Sequence, residues 1–190
     1  MTAALIEGPE IEPVSLEEAK AHLRIDTEDE DELLAASIMA ARLHVETATR
    51  RKLVAQRWRI YLDGWPKGRI VRLPVAPLIS VDAVTVYDAD GEPVTVPETD
   101  YAADAVSTPP RLSLSGAALP PVRRALNGIE IDVTAGYGPA AADVPSPLRQ
   151  AILMLVAHWH EHRAAAGEHV QELTPFGFAA LTAPYGIPTL

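Results

Sequence analysis

Val144-Pro145-Ser146-Pro147-Leu148-Arg149-Gln150-Ala151-Ile152-Leu153-Met154-Leu155-Val156-Ala157-His158-Trp159-His160-Glu161-His162 reads as one strong helix. Ser146 suits the N-cap, because its hydroxyl can accept a bond from an orphan N–H of the first turn. Pro147 suits the first helical position, where a missing N–H costs nothing. The helix is expected to run to about residue 166 and to stop near Gly167. Beyond it the terminus carries Phe176, Phe178, Leu181 and Tyr185 among Pro175, Pro184 and Pro188. An apolar tail of this kind either packs back on its own domain or docks on another protein. The prolines prevent it from continuing the helix, and Gly177 and Gly186 leave it flexible when free. Residues 173–190 are therefore expected to form a docking element outside the monomer's fold, with Phe176, Phe178, Leu181, Pro184 and Tyr185 as anchors.

Working back to the N-terminus, Ser15-Leu16-Glu17-Glu18 is a capping box opening a short helix through Leu23. Thr27-Glu28-Asp29-Glu30 repeats the device, and a second helix should run to about Arg51. Its apolar residues Leu34, Ile38, Ala41, Val45 and Ala48 step by four and three, which places them on one face. That face is expected to pack on Ile152, Leu155 and Val156 of the last helix. The basic trio Arg50-Arg51-Lys52 falls at the C-terminus, where cations suit the macrodipole.

The middle changes period. In Gln56-Arg57-Trp58-Arg59-Ile60-Tyr61-Leu62, apolar Trp58, Ile60 and Leu62 alternate with Arg57, Arg59 and Tyr61, the pattern of a half-buried strand. Residues 63–68 read as a turn and 69–73 as a second strand. Residues 80–87 and 92–96 flank the Gly-bearing Asp88-Ala89-Asp90-Gly91 and read as a hairpin. Residues 111–114 and 128–133 supply two more strands. The order helix–helix–strands–helix–tail lacks strand–helix alternation, so the class is α+β. A small helical bundle is expected, with an inserted antiparallel β region over about residues 55–135 and an extended C-terminal tail. Residues 1–172 form the single domain of this reading, with helices over about 15–51 and 146–166.

Composition narrows the function classes. The chain has 190 residues, no cysteine and a formal net charge of −10. Without cysteine there is no disulfide framework or thiolate metal site. The acidity argues against a sequence-reading nucleic-acid binder, and it suits a protein that works near DNA without holding it. The first residues lack the basic and long apolar regions of a signal peptide, and Ala151–Ala157 is too short to span a bilayer.

One constellation could carry chemistry. His158, Glu161 and His162 spell H-x-x-E-H, the order used by inverted zinc peptidases, with both histidines on one helix face. A third ligand is needed, and the acids that follow, Glu168 and Glu172, lie just past the expected helix end. The adopted reading is a helix terminus with histidines toward solvent or a neighbouring subunit, and no metal, cofactor or catalytic residue. A metal-dependent hydrolase is the alternative, and a small chaperone or regulatory binding module is a third reading. Asp26, Glu28, Asp29, Glu30 and Asp31 form an acidic run, but Asp31 stands where a calcium loop needs glycine. It reads as an acidic surface. Trp58, Trp65 and Trp159 read as core or interface, and Arg57 and Arg59 as a solvated strand face rather than phosphate contacts.

The order of segments resembles that of tailed-phage head–tail connector proteins, as found in phages, prophages and gene transfer agents. The likeness begins at Val14-Ser15-Leu16-Glu17-Glu18-Ala19-Lys20-Ala21-His22-Leu23-Arg24-Ile25-Asp26 and its acidic step. It continues through Leu62-Asp63-Gly64-Trp65-Pro66, Ile70-Val71-Arg72-Leu73-Pro74 and Pro77-Leu78-Ile79-Ser80-Val81. Ala135-Gly136-Tyr137-Gly138, Val144–Ile152, Pro175-Phe176-Gly177 and Ala183-Pro184-Tyr185 complete it. Gly186 stands where the family commonly has a basic residue. The resemblance implies a non-enzymatic adaptor that forms a homo-oligomeric ring, twelve-fold by family likeness, beneath the portal protein. It would join capsid to tail above a downstream tail-completion or stopper protein. DNA would pass through an acidic lumen without specific binding, and no membrane is involved. The protein would reside in the virion or phage-like particle, assembled in the bacterial cytoplasm.

Overall fold

The computed structural model describes residues 1–115, 119–162 and 174–187. The architecture is α+β, in two compact units: residues 1–10 with 55–139, and residues 11–54 with 140–190. The expected helix end near Gly167, together with Glu168, Glu172 and Leu173, lies outside the described residues.

The first unit is antiparallel β. Its strands are β1 (Thr2–Glu7), β2 (Gln56–Leu62), β3 (Ile70–Arg72), β4 (Leu78–Tyr87), β5 (Pro93–Thr95), β6 (Tyr101–Asp104), β7 (Arg111–Leu114) and β8 (Ile129–Ala135). One sheet runs β1-β2-β8-β4-β5 and a smaller one β3-β7-β6. β8 is central: Ile60 of β2 faces Ile131, and Val84 of β4 faces the same residue from the other side. Ile60, Ile129, Ile131, Val133, Val84 and Val86 are buried together with Val71, Leu112 and Leu114 of the smaller sheet. The two sheets thus share one apolar core, which is what the alternation in β2 and β8 predicts.

Two strands escaped the sequence pattern. β1 pairs Ala3 with Ile60 and Leu5 with Trp58, yet most of it is exposed. β6, Tyr-Ala-Ala-Asp, pairs only with β7. Both are edge strands, so neither needs the β-branched alternation of a strand packed on both sides.

The second unit is helical: α1 (Leu16–Leu23), α2 (Asp31–Thr49), α3 (Ser146–His162) and α4 (Phe178–Thr182). The first capping box forms as expected, with Ser15 Oγ accepting from the Glu18 N–H at 3.1 Å and the Glu18 carboxylate accepting from the Ser15 N–H at 2.9 Å. The second does not. α2 starts at Asp31 behind Glu30, with no side-chain cap bond. The carboxylates there are engaged elsewhere: Lys20 Nζ donates to Asp31 at 2.7 Å, and His160 Nε2 lies 2.8 Å from Glu30. α2 packs on α3. Leu34, Ile38, Ala41 and Val45 are buried, as are Leu148, Ala151, Ile152, Leu155 and Val156. No helix among the described residues is long and apolar enough to cross a membrane.

Ile38→Ala and Leu155→Ala should each lower the unfolding free energy by about 2–5 kcal/mol, because each leaves a cavity in a packed seam. Urea denaturation measures this, and a midpoint unmoved by both changes would refute the α2–α3 core.

Candidate functional site

Most of the candidate residues picked out above fall in the helical unit, and those described are held by its elements. The tail comes first. Gly177 adopts φ +96° at the N-terminus of α4, a conformation that side-chain-bearing residues rarely take, and so turns the chain back onto α3. Phe178 is 6% exposed and meets the His44 ring edge-on at 5.3 Å, while His44 meets Trp159 at 6.1 Å. Thr182 is buried and bonds the Phe178 carbonyl at 3.0 Å. Arg51 Nε donates to the Tyr185 carbonyl at 2.6 Å, and the Ile187 N–H donates to the Thr49 carbonyl at 3.1 Å. The expectation that Phe178 waits for a partner is therefore corrected. An apolar ring beside an apolar helix pair buries itself there, and α4 supplies the turn that allows it. Leu181 and Tyr185 are half-buried, Pro184 is exposed, and Phe176 is 100% exposed.

The acidic run splits in two. Glu30 and Asp31 are half-buried and paired, whereas Asp26, Glu28 and Asp29 lie open to solvent. The histidine cluster does not assemble around Glu161. His158 and His162 lie ring to ring at 4.4 Å, the His162 Nδ1 is 2.7 Å from the His158 carbonyl, and Glu161 is exposed. Among the described residues no group of three His, Asp or Glu could hold a metal ion.

Sequence reasoning missed a groove of about 490 Å³ lined by Ile11, Val14, Leu16, Ala35, Ile38 and Ala141, with Glu12, Ser15 and Glu18 beside them. Two arginines fasten its wall. Arg42 Nε donates to Glu12 at 2.7 Å, and Arg149 Nε donates to the Pro13 carbonyl at 2.8 Å while its Nη2 bonds Glu18. The Ser15 N–H is the main reason the Glu18 carboxyl is held below its ordinary value, and Arg149 adds to it.

In the β unit Arg57 and Arg59 are taken up by carboxylates. Arg59 donates to both oxygens of Asp132, at 2.6 and 2.8 Å, and sits 3.0 Å from Glu130. The Asp132 bond raises the Arg59 pKa above its ordinary range. Tyr87 donates to Glu130 at 3.0 Å, and burial, then this bond, pushes the phenol up. Arg57 reaches Glu7 at 3.5 Å. A phosphate would have to displace these partners.

An α+β chain whose most open features are apolar surfaces beside satisfied ion pairs is suited to contact with other proteins. Residues 13–91 match the sequence model of the phage gp6-like head-tail connector proteins, which bears out the resemblance read from the segment order. Over its whole length the chain is similar to a chain in the neck of an empty gene transfer agent (GTA) particle computed with C6 symmetry, at TM-score 0.84 and 27% identity, covering 97% of that chain. The virion of a native GTA particle gives TM-score 0.83 at 28% identity, and the neck of a native GTA particle computed with C12 symmetry gives 0.82 at 26%, each again covering 100% of this chain and 97% of the other. No curated protein sequence matches significantly. The chain thus has the fold of a GTA neck protein, and over residues 13–91 it carries the sequence pattern of the connector proteins.

Phe178→Ala should cost about 3–5 kcal/mol, whereas Phe176→Ala should stay within about 0.5 kcal/mol of the native protein. Equal effects in thermal melts would contradict the placement of α4. Glu18 supplies the pH test. Its carboxyl is depressed in the fold, so its stabilisation is present above the ordinary value of 4.5 and is lost as pH falls through the lower folded value. The stability difference between the native protein and Glu18→Gln should therefore be full at neutral pH and close in acid, a trend that denaturation at stepped pH would read. A difference that stays constant into acid would reject the assigned charge effect.

Proposed function

We propose that the chain is the adaptor subunit of a gene-transfer-agent-like or phage-like particle. It assembles as a ring beneath the portal, joins the capsid to the tail and continues the DNA channel. The observation that carries this reading is the full-length likeness to a chain of GTA necks, one of them computed with C12 symmetry. The subunit works by shape and surface, with no catalytic step. The portal contacts the outward side of the tail, where Phe176 and Pro184 are exposed beside Leu181 and Tyr185. Phe176 is the anchor, since a fully exposed aromatic side chain gains most from burial in a partner's pocket. A tail-completion or stopper protein binds the opposite end of the ring.

The charge of −10 has a use in this setting. Asp26, Glu28 and Asp29 line a negative surface past which DNA slides without being held, because like charges repel within a Debye length of about 8–10 Å. The ring resides in the particle and is assembled in the bacterial cytoplasm.

The test replaces the native gene by Phe176→Asp in a particle-producing host. Heads lacking tails, with a purified variant that melts like the native protein, are the expected result in electron micrographs. Normal yields of tailed particles from both this variant and a strain without the chain would overturn the connector reading.

A further inference from the structure

α2 carries two apolar stripes where an ordinary surface helix carries one. The inner stripe, Leu34, Ile38, Ala41 and Val45, is buried within the unit. The outer stripe, Leu33, Ala36, Ala40, Leu43 and Thr47, repeats the same three–four spacing and is exposed, with Met39 at its flank. Leu33, Met39 and Leu43 are 50%, 49% and 49% exposed. The charges of this stretch lie on the other side: Arg42 and Glu46 are 5% and 3% exposed, and no charged residue stands among the exposed residues from Leu33 to Thr47. A helix with Arg42 and Glu46 inside and Leu33 and Leu43 outside is built to be covered.

Near this stripe lies the apolar groove of about 490 Å³, lined by Ala35 and Ile38 of α2 together with Ile11, Val14 and Leu16. One helical unit thus offers an apolar ridge and an apolar recess on different faces. A closed ring needs that arrangement, because each copy meets its two neighbours through two different, mutually complementary patches.

We propose that the ridge of Leu33, Met39 and Leu43 seats in the groove of the next copy of this chain and closes the ring. The inference rests on the connector reading and adds to it the surface that joins copy to copy. The occupant is a second copy because a ring repeats one contact around its whole circumference. A ridge and a recess of matching apolar character on one unit satisfy that contact with no third component. The carboxylates beside the groove do not oppose an apolar insert, since Glu12 and Glu18 are already neutralised by Arg42 and Arg149.

The absence of cysteine makes the test clean. Leu43→Cys and Ala35→Cys both alter exposed positions, so each variant should fold, which thermal melts check. Particles are produced with each single variant and with the double variant in place of the native chain, then treated with a short bis-maleimide. The double variant should give a ladder of covalent multimers of this chain, and neither single variant should give more than a trace. A dimer from Leu43→Cys alone would mean a self-contact, and a cross-link to a different protein would mean that the ridge faces that protein; either overturns the proposal. So would particles that contain the double variant and yield no ladder, an outcome that leaves the connector reading standing. Particles that form normally without any of the chain would remove the connector reading and this inference together. As an independent measure, Leu43→Lys should keep the native melting temperature yet lower incorporation into particles at least tenfold, and unchanged incorporation would count against the ridge.

Discussion

The helical unit depends on one buried carboxylate. Glu46 accepts the Leu53 N–H at 3.0 Å, lies 3.3 Å from Lys52 Nζ and 3.5 Å from Arg42, and Arg42 in turn holds Glu12 at 2.7 Å. This cluster joins three stretches of chain: the segment leading into α1, the body of α2, and the residues that follow α2. Charges out of water persist only with partners, and removing one partner of a buried pair costs about 3–5 kcal/mol because the other is stranded. The cluster therefore fixes the segment that forms the groove wall, and with it the face that α2 turns outward.

The β unit solves the same problem differently. Its core is mainly apolar, and its ions sit on the outer face of the sheet, where Arg59 bridges Asp132 and Glu130 across β2 and β8. Arg111 and Asp104, also cross-strand, pair at 2.6 Å at the rim of the smaller sheet, and the Ser107 hydroxyl, then Arg111, holds the Asp104 carboxyl well below the usual carboxylate range. Partly exposed pairs of this kind add little to stability, and they do fix register and leave no free cation facing outward along that ladder. That would suit the proposed channel, through which DNA passes without being gripped.

How much could be read from the sequence follows from which signals are local. α1 was legible to the residue, because a capping box is a four-residue device. β2 and β8 were legible because both lie inside the sheet and must alternate. β1 and β6 were not: both are edge strands, and unlike the edge strands β3 and β5 neither is announced by a turn signal or a β-branched run, since Thr2–Glu7 and Tyr101–Asp104 are rich in alanine. The tail was legible as apolar and proline-broken, but Phe178 was misassigned because only the folded α2–α3 pair shows His44 and Trp159 waiting for it. The second stripe of α2 stood in the sequence at the same spacing as the first. It went unread because a single amphipathic face is the usual expectation, and which face lies outside is decided by where Arg42 and Glu46 find partners.

On the proposed ring reading, that inversion of α2 bears on how a free copy would avoid association before it assembles. Half-exposed leucines on a chain in water invite association, and a net charge of −10 opposes it by mutual repulsion. The two terms scale differently. Repulsion acts between any two copies and weakens with salt, whereas apolar insertion needs the ridge and groove to be held in register. In the proposed assembly, a portal vertex that held many tails side by side would raise the local concentration of copies without adding any new contact. Under that constraint a weak pairwise contact would become the proposed closed ring, while the same contact in dilute solution would stay open. The exposed stripe is then tolerable for the free chain because it is strong only where a template has already aligned it.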